Sequence, residues 1–98
     1  MKITETKNGS ALTVALEGRL DTMTAPELEE KLNAALTDVT ELTFDLEKLE
    51  YISSAGLRVL LSAQKTMNRQ GAMKVRHPNE IISEIFEVTG FTDILTIE

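Results

Sequence analysis

The segment Leu42-Thr43-Phe44-Asp45-Leu46-Glu47-Lys48-Leu49-Glu50-Tyr51-Ile52-Ser53-Ser54-Ala55-Gly56-Leu57-Arg58-Val59-Leu60-Leu61 decides the fold. Leu42, Phe44 and Leu46 alternate with Thr43 and Asp45, the period-two pattern of a strand with one buried face. Apolar character continues through Leu49, Tyr51 and Ile52, with Glu and Lys between. Two serines and Ala55-Gly56 interrupt it. From Leu57 the apolar residues crowd together, as in a helix whose first two turns are buried or covered by a partner, and Gly71 closes that helix. A strand leading through a short loop into a long helix predicts a βα unit.

The neighbouring segments extend that unit in both directions. Upstream, Lys2 to Lys7 and Ala11 to Gly18 are β-prone runs joined by Asn8-Gly9, which predicts a hairpin with a type I′ turn. In the second run Leu12, Val14 and Leu16 alternate with Thr13, Ala15 and Glu17, so one face is buried. The connector Arg19 to Met23 leads to Thr24-Ala25-Pro26-Glu27, the spacing of a capping box with proline in the first turn. Leu28, Leu32, Ala35 and Leu36 then recur at helical spacing and predict an amphipathic helix ending near Thr37. Downstream, Ala72 to Arg76 reads as a short strand. Ile81, Ile82, Ile85, Phe86 and Val88 form a third helix stopped by Gly90, and Ile94, Leu95 and Ile97 a last short strand. The predicted order is ββαβαβαβ: an α/β fold with three to four helices on a central mixed sheet, parallel apart from its N-terminal hairpin. Residues 1–98 read as one domain.

Composition narrows the function classes. The 98 residues carry 10 Lys+Arg against 16 Asp+Glu, a formal charge of -6, which argues against direct nucleic-acid binding. No cysteine is present, so disulfides, thiolate chemistry and Cys-based metal sites are excluded. No apolar run approaches the length of a membrane span, and the start MKITETKNGS lacks the apolar core of a signal peptide, so a cytoplasmic protein without membrane contact is expected. The single histidine, His77, stands before Pro78 in a connection, and glycines at 9, 18, 56, 71 and 90 make neither a Walker loop nor GxGxxG. The expectation is a binding protein and not an enzyme, with no metal and no cofactor.

In open α/β sheets, sites gather where strand carboxyl ends lead into helix starts. Two loops meet that description, Gly18 to Thr24 and Leu49 to Leu57. Ser53 or Ser54 begins the long helix, where free amides and the helix dipole favour an anion, including a phosphate on the serine itself. Gly56 has no side chain and would admit another backbone or a phosphate closely. The same residues also read as a plain N-cap, Asp21 as a plain turn residue, and Met23 as an isolated loop apolar.

The stretch Leu46 to Leu61, with Gly18-Arg19-Leu20-Asp21 followed by Thr24-Ala25, resembles the STAS domain family (sulphate transporter and anti-sigma factor antagonist). The strand Leu42 to Leu46 and the ending Gly90-Phe91-Thr92-Asp93-Ile94-Leu95 fit it too, so the resemblance covers essentially the whole chain. Stand-alone members of this size are similar to bacterial anti-sigma factor antagonists. The resemblance implies a partner that is both anti-sigma factor and serine kinase, release of a sigma factor on binding, and reversal by phosphorylation that a phosphatase undoes. By the family's Asp-Ser-Ser-Gly-Leu pattern the acceptor falls on Ser54, with Ser53 as the alternative, and Asp21, Gly56 and Leu57 match its loop aspartate and helix opening. The implied docking rim is Asp21, Thr22, Met23, Ser53, Ser54, Gly56, Leu57 and Arg58. Two departures stand out: Ser53 replaces the usual Asp, and Ala55 replaces a frequent hydroxyl residue. Two rival readings are a non-phosphorylated STAS scaffold subunit of a signalling or lipid-transport assembly, and direct nucleotide binding at the helix start.

Overall fold

A computed structural model, describing residues 1–98, places the quoted segment as predicted, with β3 (Glu41–Ile52) running into α2 (Ser54–Gln70). Before it come β1 (Lys2–Asn8), β2 (Ala11–Leu20) and α1 (Ala25–Ala35); after it β4 (Ala72–Arg76) and α3 (Glu80–Thr89). The sheet order is β1-β2-β3-β4, antiparallel in the hairpin and parallel thereafter. The architecture is therefore the expected mixed sheet in one α/β domain. No helix is long and apolar enough to cross a membrane.

In-register pairs carry the core across the sheet. Leu12, Leu42 and Met73 stand in one row and Val14, Phe44 and Val75 in the next, all buried. The helices add Leu28 and Leu32 from α1, Leu60, Ala63 and Met67 from α2, and Ile82 and Phe86 from α3 to the same cluster. The opposite sheet face is polar: Thr13, Thr43 and Lys74 share one row, and Thr4, Ala15, Asp45 and Arg76 another. Parallel strands are commonly covered on both faces; these instead follow the one-sided alternation of their sequence.

Three local expectations are corrected. The hairpin turn is one residue later than Asn8-Gly9, because Asn8 pairs with Ala11 and leaves Gly9-Ser10 as the loop. Gly9 has φ +65 and Ser10 does not join the positive-φ residues, which fits a type II′ turn and not type I′. The predicted capping box does not form. Thr24 Oγ1 turns away from α1, accepting from Asp21 N at 2.9 Å and donating to Arg19 O at 2.9 Å. The residues Ile94 to Ile97 supply no strand: Phe91–Asp93 form a 3₁₀ helix, and a single parallel bridge joins Ile97 to Val75. The observed order is thus ββαβαβα with a closing 3₁₀ turn. Beyond Leu46 the spacing of buried residues in β3 changes from two to three. The buried residues after Leu46 are Leu49 and Ile52, and register shifts between Ala15/Glu17 and Gly18/Arg19 insert an extra β3 residue each time. Each bulge resets which residue faces the core.

Candidate functional site at the start of helix α2

The carboxyl ends of β2 and β3 lie side by side, with Leu20 paired to Ile52. Ser53 N donates to Leu20 O at 2.9 Å, which fastens the start of α2 to the loop before α1. Gly56 completes the join. A Cβ there would stand 2.7 Å from Leu20 Cγ and 2.8 Å from Ile52 Cγ1, so only glycine lets α2 sit this close. That corrects the expectation for Gly56: it is buried and opens no path to a ligand. Leu57, 6% exposed, is also a core residue and leaves the predicted rim.

Ser53 is the N-cap and Ser54 the first helical residue. They face opposite surroundings. Ser53 Oγ is buried with no hydrogen-bond partner, whereas Ser54 is exposed. Of the two hydroxyl residues, only Ser54 is open to solvent. The orphaned oxygen also reverses the usual expectation for an N-cap, where truncation to Ala destabilises by about 0.5–2 kcal/mol. Here Ser53 Oγ makes no cap bond. Removing a buried unpaired hydroxyl should be neutral or stabilising. Ser53→Ala should accordingly melt at or above the parent temperature in a calorimetric scan.

The electrostatics of the helix start follow from what it lacks. The first turn of α2 has no side-chain cap bond and no acidic residue. Its first intrahelical donor is Leu57 N, bonded to Ser53 O at 2.9 Å. Earlier amides are left for an outside acceptor, and the positive end of the dipole is uncompensated. Arg58 is exposed and four residues beyond Ser54, which puts both on one face of the helix. That spacing is legible in the sequence.

The β2–α1 loop forms the other side. Asp21 Oδ1 accepts from Met23 N at 3.0 Å and Thr24 N at 3.2 Å, and Asp21 O accepts from Ala25 N at 2.8 Å. Asp21 therefore holds the turn that leads into α1, and its carboxylate makes no hydrogen bond to Ser54. Arg19 Nε lies 3.9 Å from Asp21 Oδ2, and its guanidinium stacks 4.6 Å above the Tyr51 ring. Met23, at the tip, is 87% exposed. Thr22 and Arg58 both line a groove between α1 and α2, together with Ala25, Pro26 and Ala55. The structure thus brings Asp21, Thr22, Met23, Ser54 and Arg58 to the outside, and sends Ser53 Oγ, Gly56 and Leu57 inward.

Sequence reading missed one further cluster. Ligand atoms of Asp45, Glu47 and His77 lie within 4.8 Å of one another on the polar side of the sheet. Asp45 Oδ1 already accepts from Glu47 N at 3.1 Å and lies 3.3 Å from His77 Nδ1. Hydrogen bonding accounts for that arrangement.

Comparison with known proteins matches the geometry. A family model described as Mlab, STAS domain aligns with residues 3–96. The chain belongs to the STAS domain family. BtrV of Bordetella bronchiseptica is 37% identical over 100 residues, covering 99% of this chain and 85% of BtrV. The anti-sigma-B factor antagonist of Bacillus subtilis is 30% identical over 92 residues, covering 93% of this chain and 84% of its own length. Among solved structures, the Bacillus cell fate determinant SpoIIAA in its phosphorylated form is similar with a TM-score of 0.78 at 17% identity, covering 99% of this chain and 91% of SpoIIAA.

Proposed function

We propose that this STAS domain is an anti-sigma factor antagonist whose docking surface is gated by phosphorylation of Ser54. The observation that carries the reading is the split between the two serines. Ser54 is exposed at an uncapped helix start, and its neighbour is buried. The name of the Bacillus subtilis relative supports the antagonist role. SpoIIAA in its phosphorylated form shares this fold at a TM-score of 0.78, which supports a phosphate being compatible with it.

In this reading the unmodified rim of Asp21, Thr22, Met23, Ser54 and Arg58 docks on an anti-sigma factor that is also the serine kinase, and a sigma factor is released. The kinase supplies ATP, Mg²⁺ and the catalytic base, so the chain is a substrate and a binding module. Phosphate brings roughly -1.5 to -2 charges to the helix start. In the free domain, first-turn amides and Arg58 compensate it, and the fold persists. In the docked state the dianion would have to be desolvated within an interface, and binding is lost. The phosphatase that removes it resets the switch.

The test is incubation with the cognate anti-sigma factor and ATP, followed by site-mapping mass spectrometry. One phosphate is expected on Ser54 in the parent and in Ser53→Ala, and none in Ser54→Ala. A complex that forms with no phosphate appearing on Ser54 would instead support the scaffold reading. Phosphate on Ser53 would contradict the assignment outright.

A further inference from the structure

The apolar face of helix α3 is wider than the core covers, with Ile85 half-buried against the core and the residues beyond it open. Ile82 and Phe86 are buried, whereas Ile81 is 57% and Val88 80% exposed. Ile81, Ile85 and Val88 follow one another at intervals of four and three, so they form a stripe along a single face. With Glu84 and Thr89 they line a groove that no part of the chain fills. Of the four large apolar residues most exposed in the molecule, two lie on this stripe and a third, Ile94, follows shortly after α3. Isolated exposed apolar residues need no explanation, but a contiguous stripe marks a binding surface.

Charge narrows the partner. α3 carries Glu80, Glu84 and Glu87 and no Lys or Arg. None of the three takes part in an ion pair. Glu87 also stands in the last turn, where the helix dipole is negative and a basic residue is the favourable choice. Unneutralised negative charge therefore borders the stripe along its solvent side. A second copy would bring the same glutamates against these, and an anionic membrane would be repelled. We infer that the Ile81–Ile85–Val88 face of α3 is a docking surface for a basic amphipathic helix of a partner protein. The leucine-type side of that helix would cover the stripe while its lysines meet Glu80, Glu84 and Glu87, the helix-in-groove mode of recognition. No residue of this groove is shared with the groove between α1 and α2 that Thr22 and Arg58 line, and the inference does not depend on the antagonist reading, so the domain can hold one partner while phosphorylation controls another.

The probe is a fluorescein-labelled helical peptide with leucines at i, i+3, i+4 and i+7 and lysines elsewhere, followed by anisotropy. Its twin has glutamate for every lysine. The lysine peptide should bind saturably with 1:1 stoichiometry and weaken as salt is added, and the twin should not bind. Val88→Lys and Ile81→Lys, both at exposed positions and checked for an unchanged melting temperature, should each weaken binding by about tenfold. The double variant Glu84→Lys/Glu87→Lys should lose the lysine peptide and gain its twin. Ser54→Asp should bind as the parent does. The inference is overturned if the lysine peptide does not bind, if both peptides bind alike, or if the α3 variants leave binding unchanged. It is also overturned if the free protein forms a dimer that Val88→Lys dissolves.

Discussion

Ser54→Asp should lose about a thousandfold in affinity for the anti-sigma factor, equivalent to ~4 kcal/mol, while melting no lower than the parent. Two effects of opposite sign lie behind this pair of results. On the free domain, a carboxylate in the first turn of α2 meets a dipole end that has no acidic residue of its own. Such a charge stabilises a helix by about 0.3–1 kcal/mol. In the complex the same charge must leave water, and an unpaired charge buried at an interface costs several kcal/mol. The second effect is the larger, so binding falls although folding gains. Isothermal titration calorimetry gives the affinity, and a thermal scan in parallel gives the stability. Equal affinity for the two proteins would remove the electrostatic gate. A lowered melting temperature accompanying lost binding would make the switch a folding effect instead.

Phe44→Ala should destabilise the domain by about 3–5 kcal/mol, the usual range for emptying a large buried aromatic site. Phe44 is 0% exposed and sits mid-sheet, between Val14 on β2 and Val75 on β4. Its neighbours are held by strand pairing on both sides, which limits how far the cavity can collapse. For a domain of this size the melting temperature should drop by roughly 15 °C or more. A shift of only a few degrees would mean that α1, α2 and α3 close over the vacated space, and that the core is less tightly specified than its burial indicates. Because Phe44 is remote from the rim in chemistry, any loss of partner binding should track the folded fraction and vanish at low temperature.

Element types and their order were legible from β1 to α3 because they rest on local periodicity. Leu12, Val14 and Leu16 alternate, Leu28 and Leu32 repeat at helical spacing, and each pattern can bury its apolar side in only one way. The exposed location of the site at the strand ends was legible from topology alone. The resemblance singled out Ser54, but no pattern in Ser53-Ser54 reveals which hydroxyl is buried. That depends on Leu20 O holding Ser53 N at 2.9 Å, a contact across more than thirty positions of chain. Asp21 likewise read both as a rim acid and as a turn residue, and its bonds to Met23 N and Thr24 N show it holding the turn before α1.

Local chemistry thus set the strands, the helices, their amphipathic faces and the lone hydroxyl pair at a helix start. Packing between distant segments set the rest. Two bulges in β3 rotated Leu49 and Ile52 inward, and the crowding of Leu20 and Ile52 made Gly56 a spacer instead of an opening. The tail meets β4 through a single bridge at Val75 and Ile97 in place of a strand, and the core took Ile82 and Phe86 of α3, covered Ile85 in part and left Ile81 and Val88 open. The division has a simple cause: periodicity reports which side of an element is apolar, but which groups end up touching depends on residues far away in the chain.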